Sequence, residues 1–220
     1  MNLRILVADD HEIVRRGLCA MLAAHEGWVV CGEATDGMEA VRKAAELKPD
    51  VVVIDIGMPN LNGLAATQQI LKNNPAQKVI VLTITDVEQV IEEALRVGAR
   101  GFVLKSDTAR ELVVAVEALQ HDRASLPPRV SEMVLAGFLR GGRASDKETL
   151  RLPRLTAREC QVVQLVAEGK SSKEVASMLN VSTKTAETHR NNIMRKLGLH
   201  STSELVLYAV RNNIVRVAGE

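Results

Sequence analysis

The stretch VVVIDIGMPNLNG, residues 51–63, joins four β-branched residues directly to a carboxylate, Asp55. A continuous run of valine and isoleucine is typical of a central strand in a parallel sheet, because such a strand is buried on both faces. In open α/β sheets, ligands bind just beyond the carboxyl ends of the strands. Asp55 therefore lies where a functional site is expected, although an aspartate that merely begins the next turn accounts for its position equally well.

Short apolar runs alternate with amphipathic segments through residues 1–122. Segments with helical periodicity separate predicted strands at residues 3–8, 28–32, 51–54, 78–83 and 101–104. This alternation predicts an α/β fold in which a doubly wound parallel sheet of five strands carries helices on both faces. Because crossovers between parallel strands are right-handed, the carboxyl ends of the strands meet at one edge of the sheet.

Charged and hydroxyl side chains follow the predicted strands at that edge, namely Asp9, Asp10, Asp55, Thr83 and Lys105. Three converging carboxylates repel one another unless a hard cation lies among them, and Mg²⁺ prefers oxygen ligands of this kind. A lysine can pair with phosphoryl oxygens, and a threonine hydroxyl can donate a hydrogen bond to them. The set therefore suits phosphoryl transfer, with Asp55 as a carboxylate nucleophile that becomes an aspartyl phosphate.

The chain carries, in this order, Asp9-Asp10, Asp55-x-x-Met58-Pro59-x-x-x-Gly63, Thr83 and Lys105. This ordered set resembles the receiver domain of response regulators over residues 2–121. The resemblance implies the flavodoxin-like strand order 2-1-3-4-5. It also implies a set of Mg²⁺ ligands, which are Asp10 directly, Asp9 through a water molecule, Asp55, and the backbone carbonyl of Gly57.

The resemblance further assigns a conformational switch to Thr83 and Phe102. In receiver domains the hydroxyl of this pair moves to the phosphoryl group and the aromatic ring turns inward. From the residues alone, a core aromatic is the simpler interpretation of Phe102.

Charge is distributed unevenly along the 220 residues. Residues 1–122 hold 12 basic and 18 acidic side chains, whereas residues 123–220 hold 16 basic and 9 acidic ones. Only the second half is therefore expected to meet a polyanion. A Pro-Pro pair and a polar, glycine-rich stretch predict a linker at 123–154 with a short helix at 129–140. The predicted domains are thus 1–122 and 155–220.

Capping signals divide the second domain into four predicted helices, at 157–168, 172–179, 183–197 and 202–213. Ser182 is expected to cap the third helix. Capping boxes are predicted to open the other three, in the pairs Thr156–Glu159, Ser171–Glu174 and Ser201–Glu204. The second and third helices, joined by a tight turn, predict a helix-turn-helix within an all-α domain.

One face of helix 183–197 carries the side chains expected to contact DNA, which are Lys184, Thr188, Asn191 and Arg195. These groups suit phosphate oxygens, adenine edges and thymine methyl groups in a major groove. Glu187 flanks this face, where it could accept a hydrogen bond from cytosine. Lys170, Lys173 and Ser182 are further contact candidates, the two lysines for phosphates. An ordinary solvated helix face is the alternative interpretation.

Residues 155–205 carry the motifs L-T-x-R-E, E-G-K-S-x-K-E-V-A, K-T-x-x-T-H and I-M-R-K-L-G, and they resemble the LuxR-type DNA-binding domain. Together the two halves resemble a NarL/FixJ-family response regulator. The resemblance implies a transcription regulator whose Asp55 is phosphorylated by a sensor histidine kinase with Mg²⁺. It implies binding to double-stranded promoter DNA as a homodimer, and no enzymatic activity beyond slow self-dephosphorylation.

Two other functions stay open at this point. A phosphohydrolase would also form an aspartyl phosphate, but such enzymes usually carry a second aspartate two positions after the nucleophile, where this chain has Gly57. Alternatively, the first domain is a dimerisation module that works without phosphate, although the complete acidic set speaks against this.

No apolar run approaches the roughly 20 residues that span a bilayer, and the first residues show no signal-peptide pattern. We therefore expect a cytoplasmic protein that makes no membrane contact. Aromatic residues make up only 2 % of the chain, which argues against a stacking surface for single-stranded nucleic acid. The three cysteines lack metal-ligand spacing and are predicted to be buried thiols.

Overall fold

The computed structural model describes residues 2–83, 88–106, 109–126, 128, 130–132, 155–179, 181–212 and 214–215. The sheet domain comprises the described residues up to 132, and the helical domain those from 155 to 215. None of the helices in this part of the chain combines the length and the apolar character needed to cross a membrane.

The sheet domain contains five strands: β1 (Leu3–Ala8), β2 (Trp28–Ala34), β3 (Val51–Asp55), β4 (Lys78–Thr83) and β5 (Gly101–Leu104). Its named helices are α1 (Glu12–Ala23), α2 (Gly37–Leu47), α3 (Gly63–Asn73), α4 (Glu88–Arg96) and α5 (Ala109–Gln120). Every neighbouring pair of strands is parallel, in the order β2-β1-β3-β4-β5. The predicted fold class and strand order are therefore confirmed.

The valine and isoleucine run in β3 is buried on both faces of the sheet. Val51 and Val53 belong to one apolar cluster, which also contains Leu22 of α1 and Leu119 of α5. A second apolar cluster covers the other face of the sheet. It contains Val52 and Ile54 of β3 together with one residue from each of α2, α3 and α4, namely Ala40, Ala66 and Ile91. Residues 51–54 are all 0 % exposed. A strand that alternates apolar and polar residues would bury its polar side chains here, which is why this strand is apolar throughout.

The register of the strands brings their carboxyl ends to one edge. Ala8 pairs with Ile54, Asp55 with Leu82, and Thr83 with Leu104. The residues that end or follow these strands are therefore neighbours across the sheet, although they are widely separated in sequence.

Part of the predicted linker lies against the sheet domain. The backbone of Ser125 accepts from Phe102 N over 3.0 Å and donates to Arg100 O over 2.9 Å, so the chain here follows β5. Residues 130–132 are helical, and Val130 packs in the same apolar cluster as Ile91. The rest of the predicted helix at 129–140 lies outside the described residues, and the domain boundaries stay predictions.

The helical domain contains four named helices within its described residues: α6 (Ala157–Ala167), α7 (Ser172–Met178), α8 (Thr183–Leu197) and α9 (Thr202–Arg211). A separate apolar cluster joins them through residues such as Val162, Val175, Ile193 and Leu205. At the end of α8, Gly198 has a φ of 67°, the left-handed conformation that a glycine adopts without strain.

Two of the three predicted capping boxes are complete, and the third is only half formed. Thr156 with Glu159 and Ser171 with Glu174 exchange both hydrogen bonds. Ser201 accepts from the backbone of Glu204, but the carboxylate of Glu204 accepts from His200 N over 2.8 Å instead of from Ser201 N. The prediction for the third box was wrong in this respect, because the preceding residue offers its N–H to the same carboxylate.

The prediction of buried thiols was also wrong, since all three cysteines are half-buried. Cys19, for example, packs at the margin of a core cluster rather than within it. Burial nevertheless raises the pKa of the Cys19 and Cys160 thiols to about 11. Both thiols are therefore protonated and weakly nucleophilic near neutral pH.

Candidate functional site

Four potential metal ligands lie together at the carboxyl edge of the sheet. One ligand atom from each of Asp9, Asp10, His11 and Asp55 lies within 4.8 Å of the others. Asp9 and Asp55 are fully buried, whereas Asp10 is half-buried. The structure thus brings together the three carboxylates that the sequence placed at the ends of two strands.

Local hydrogen bonds hold the β1–α1 turn that presents the acidic pair. The carboxylate of Asp9 accepts from His11 N over 2.9 Å, and the backbone carbonyl of Asp9 accepts from Arg15 Nη1 over 2.9 Å. The ring atom His11 Nδ1 lies 3.2 Å from Asp9 Oδ1 and 3.0 Å from Asp10 Oδ1. Sequence analysis missed His11, although its position directly after the acidic pair was a usable signal.

Lys105 introduces a positive charge among these carboxylates. Its Nζ lies 2.6 Å from Asp9 Oδ2 and 3.1 Å from Asp55 Oδ1, and its side chain is 13 % exposed. Its backbone N–H donates to Thr83 O over 2.6 Å, which holds the ends of β4 and β5 together. Thr83 is buried at the end of β4, where it pairs in register with Leu104, the residue before Lys105.

The donor set fits a hard divalent cation. Three carboxylates face one lysine, so the cluster carries excess negative charge when its acids are ionised. Buried like charges at this separation are costly unless a cation compensates them. Carboxylate oxygens suit Mg²⁺, which commonly takes one or two protein carboxylates directly and completes its shell with water or phosphate oxygens.

The β3–α3 loop, residues 56–62, is folded tightly against the end of β3. Ile56 N donates to Leu82 O over 3.1 Å, and Gly63 N donates back to Ile56 O over 2.8 Å. Asn62, which sequence analysis missed, caps α3 by accepting from Ala65 N over 2.9 Å. A Cβ atom on Gly63 would lie 2.0 Å from Asp55 O, so only glycine fits at this position.

We expect Gly63→Ala to destabilise the sheet domain by about 3 kcal/mol or more, because the methyl group must displace the backbone of Asp55. Urea unfolding followed by the fluorescence of Trp28, the single tryptophan, measures this loss. Gly17→Ala is the matched control, since a Cβ there meets nothing within 4 Å and helical alanine should add about 0.5–1 kcal/mol. Equal stability of the two variants would contradict the described packing of the loop.

Phe102 lies on β5 with its ring 3 % exposed. The ring belongs to the cluster that contains Val81 of β4 and Val90 and Ile91 of α4. Its burial agrees with both interpretations from the sequence, a core aromatic and an inward-facing member of a switch pair.

A second candidate surface lies on α8. All four side chains predicted for its outer face are exposed, namely Lys184, Thr188, Asn191 and Arg195. Ala186 and Ile193 are buried on the opposite side. The Thr188 hydroxyl donates to Lys184 O over 2.8 Å, so its methyl group is the part left for an apolar contact.

The remaining predicted DNA contacts lie around the same surface. Glu187, Lys173 and Ser182 are exposed, and Lys170 is half-buried. Ser182 also has a structural role, because its hydroxyl oxygen caps α8 by accepting from Thr185 N over 3.1 Å. An ion pair joins α8 to α6, because Lys196 Nζ lies 2.7 Å from Glu159 Oε2.

Comparison with known proteins supplies two family matches. Residues 5–117 match the family described as "Response regulator receiver domain". Residues 153–209 match the family described as "Bacterial regulatory proteins, luxR family".

Individual relatives match along nearly the whole chain. The chain is 38 % identical to the transcriptional regulatory protein LiaR of Bacillus subtilis, over 97 % of this chain and 99 % of that protein. It is 34 % identical to the oxygen regulatory protein NreC of Staphylococcus carnosus, with the same coverage. Among solved structures, the chain is similar to RcsB of Salmonella enterica serovar Typhimurium, solved bound to promoter rprA in the presence of the phosphomimetic BeF3⁻. The two chains are 30 % identical, the TM-score is 0.62, and the match covers 94 % of this chain and 98 % of RcsB.

Proposed function

Because the chain belongs to the NarL/FixJ family of two-component response regulators, we propose that its sheet domain is a receiver switched by a phosphoryl group on Asp55. The observation that carries this proposal is the position of the Lys105 ammonium group, within 3.1 Å of both Asp9 and Asp55. A lysine held among acidic side chains is poised to pair with incoming phosphoryl oxygens. The helical domain is the DNA-binding output of this regulator.

In the proposed reaction, a carboxylate oxygen of Asp55 attacks the phosphorus atom of the donor. The bond from phosphorus to the donor breaks, its electron pair leaves with the donor, and an acyl phosphate forms. Lys105 neutralises charge on the phosphoryl oxygens, while the Thr83 hydroxyl donates a hydrogen bond to one of them. Bound Mg²⁺ would supply further charge neutralisation; Asp10, Asp55 and the backbone carbonyl of Gly57 would hold it directly, and Asp9 through a water molecule.

We expect the phosphorylated state to hydrolyse slowly. Rapid turnover requires a group that activates water beside the acyl phosphate. Position 57, two residues after Asp55, is a glycine and offers no such group. A signalling role with slow self-dephosphorylation is therefore favoured over a phosphohydrolase.

Thr83 and Phe102 are proposed as the pair that reports phosphorylation. Phe102 pairs in register with Val81, two residues before Thr83 on β4, and its ring packs with residues of α4. Because cores are close-packed, movement of the buried Thr83 side chain toward a phosphoryl group changes the space open to its neighbours. Repacking of α4 and α5 would then carry the signal to the output domain.

We propose three partners from this function. The phosphoryl donor is a sensor histidine kinase, and the target is double-stranded promoter DNA contacted by α8 in a major groove. RcsB dimers have been solved on DNA, and we propose that the active form of this chain is likewise a homodimer. These partners place the proposed activity in the cytoplasm.

Selection of DNA from a random pool, with and without beryllofluoride and Mg²⁺ at a stated salt concentration, tests the proposal. We expect enrichment of paired half-sites, and about tenfold tighter binding when beryllofluoride occupies the receiver, as is typical of coupled sites. Equal affinity in both conditions would instead support a dimerisation module that works without phosphate.

A further inference from the structure

The side chain of Gln164, on α6 of the helical domain, reaches into the sheet domain. Its Nε2 donates to Met58 O over 2.8 Å, and its Oε1 accepts from Asn62 N over 2.8 Å. Both partners are backbone groups of the β3–α3 loop, more than 100 residues away in sequence. The side chain amide therefore pairs with this loop as a neighbouring strand would, with one bond donated and one accepted.

We propose that Gln164 is a positioning residue for the phosphorylation site of the other domain. Gln164 is 1 % exposed, so in the docked arrangement water cannot take the place of its amide if an apolar side chain replaces it. Met58 O and Asn62 N would then be left without these partners in a buried place, which is unfavourable for backbone polar groups.

The loop that Gln164 holds begins immediately after Asp55. Met58 follows Gly57, whose backbone carbonyl is a proposed Mg²⁺ ligand, so a bond to the Met58 carbonyl restrains the adjoining peptide unit. At the other end of the loop, Gly63 packs against the backbone of Asp55 with no room for a side chain. A displacement of the loop would therefore reach Asp55 and the proposed metal ligand Gly57 from both ends of the loop.

A second side chain of α6 supports the same contact. Glu168 Oε1 accepts from Gln164 Nε2 over 2.8 Å and from Asn60 N over 3.3 Å. The loop is also held within its own domain, because Asn60 Nδ2 donates to Asp36 Oδ2 over 3.0 Å. Asn60 has a φ of 65°, a left-handed conformation that asparagine adopts more readily than most other residues.

This contact does not act by covering the DNA-binding face. Lys184, Asn191 and Arg195 are exposed while Gln164 is docked. The contact instead couples two sites, and coupling is reciprocal for binding free energies. If Gln164 favours one state of the loop, occupancy of the receiver site changes the docking of α6 by the same factor.

The inference rests on the proposed function of Asp55, and full-length variants test it separately. Gln164→Met keeps the volume of the side chain but removes both hydrogen-bonding groups. Gln164→Glu keeps an acceptor for Asn62 N, removes the donor to Met58 O, and places a second carboxylate beside Glu168. Glu174→Ala is the control, because it breaks the capping box of α7 in the same domain, where the Glu174 carboxylate accepts from the backbone N–H and the hydroxyl of Ser171.

Amide hydrogen exchange of residues 56–63 is the first measurement, since it needs no phosphoryl transfer. We expect exchange to accelerate about tenfold in both Gln164 variants and to stay at the wild-type rate in Glu174→Ala. The second measurement is the Mg²⁺ dependence of labelling by acetyl phosphate. The half-saturating Mg²⁺ concentration should rise at least threefold in the Gln164 variants, with the final extent of labelling unchanged.

The outcomes separate the two proposals. Wild-type protein that takes no label at Asp55 would refute the proposed function. A labelled wild type with Gln164 variants that match it in exchange and Mg²⁺ dependence would refute the positioning role alone. Faster loop exchange in Glu174→Ala as well would also refute it, since general destabilisation of the helical domain would then explain the effect.

Discussion

Asp55→Asn is expected to lower phosphoryl uptake from acetyl phosphate by about a thousandfold or more, to background. The amide has nearly the shape of the carboxylate, but its oxygen is a poor nucleophile and carries no charge for a metal ion. One oxygen can still accept from Lys105, so the fold around the site should persist. Incorporation of labelled phosphate, measured by intact mass with excess Mg²⁺, gives the result directly.

Asp50→Asn is the matched control for this substitution. Asp50 lies next to the opposite end of β3, where its carboxylate accepts from Arg4 N over 2.7 Å, and an amide oxygen can replace that acceptor. This control removes the same charge from the residue that precedes the strand and should be labelled like the wild type. Labelling of Asp55→Asn at wild-type levels would show that another residue accepts the phosphoryl group, and peptide mapping would distinguish Asp9 from Asp10.

Removal of both basic side chains from the outer face of α8, in Lys184→Ala/Arg195→Ala, is expected to weaken DNA binding about a hundredfold at physiological salt. Both residues are exposed on the surface opposite the buried Ile193. If each contacts a phosphate, the slope of log affinity against log salt should fall by about 2 per bound protomer. Titration of the selected DNA at several salt concentrations measures both quantities.

Two comparisons make this prediction specific. Arg16→Ala/Lys72→Ala removes the same charge from the sheet domain, where Arg16 pairs with Glu12 on the surface, and should leave DNA affinity nearly unchanged. Asn191→Ala removes a side chain suited to adenine, so it should cost about 1–3 kcal/mol on the selected sequence without changing the salt slope. If the α8 double variant binds as tightly as the charge-matched control, the exposed face of α8 is only a solvated surface.

The architecture of the sheet domain could be predicted from the amino-acid sequence alone. An uninterrupted apolar strand, Val51 to Ile54, is compatible only with burial on both faces, and the alternation around it implies parallel strands. The proximity of Asp9, Asp55, Thr83 and Lys105 could be predicted because parallel topology brings strand ends to one edge whatever their separation in sequence. In the helical domain, local signals were sufficient to predict where the helices begin, since a capping residue lies within three or four positions of its partner.

The orientation of side chains and the contacts between distant residues depend on the tertiary structure, because no local sequence pattern indicates them. The sequence places His11 directly after the acidic pair, but the orientation of its ring toward both carboxylates depends on the fold of the β1–α1 turn. Gln164 falls on a helix with an ordinary amphipathic pattern, and nothing local distinguishes it from a solvated glutamine. Its bonds to Met58 and Asn62 depend on how two separately folded domains pack. Periodicity and capping encode interactions within a few residues, whereas the docking of one domain on another depends on the complementarity of surfaces that exist only after both have folded.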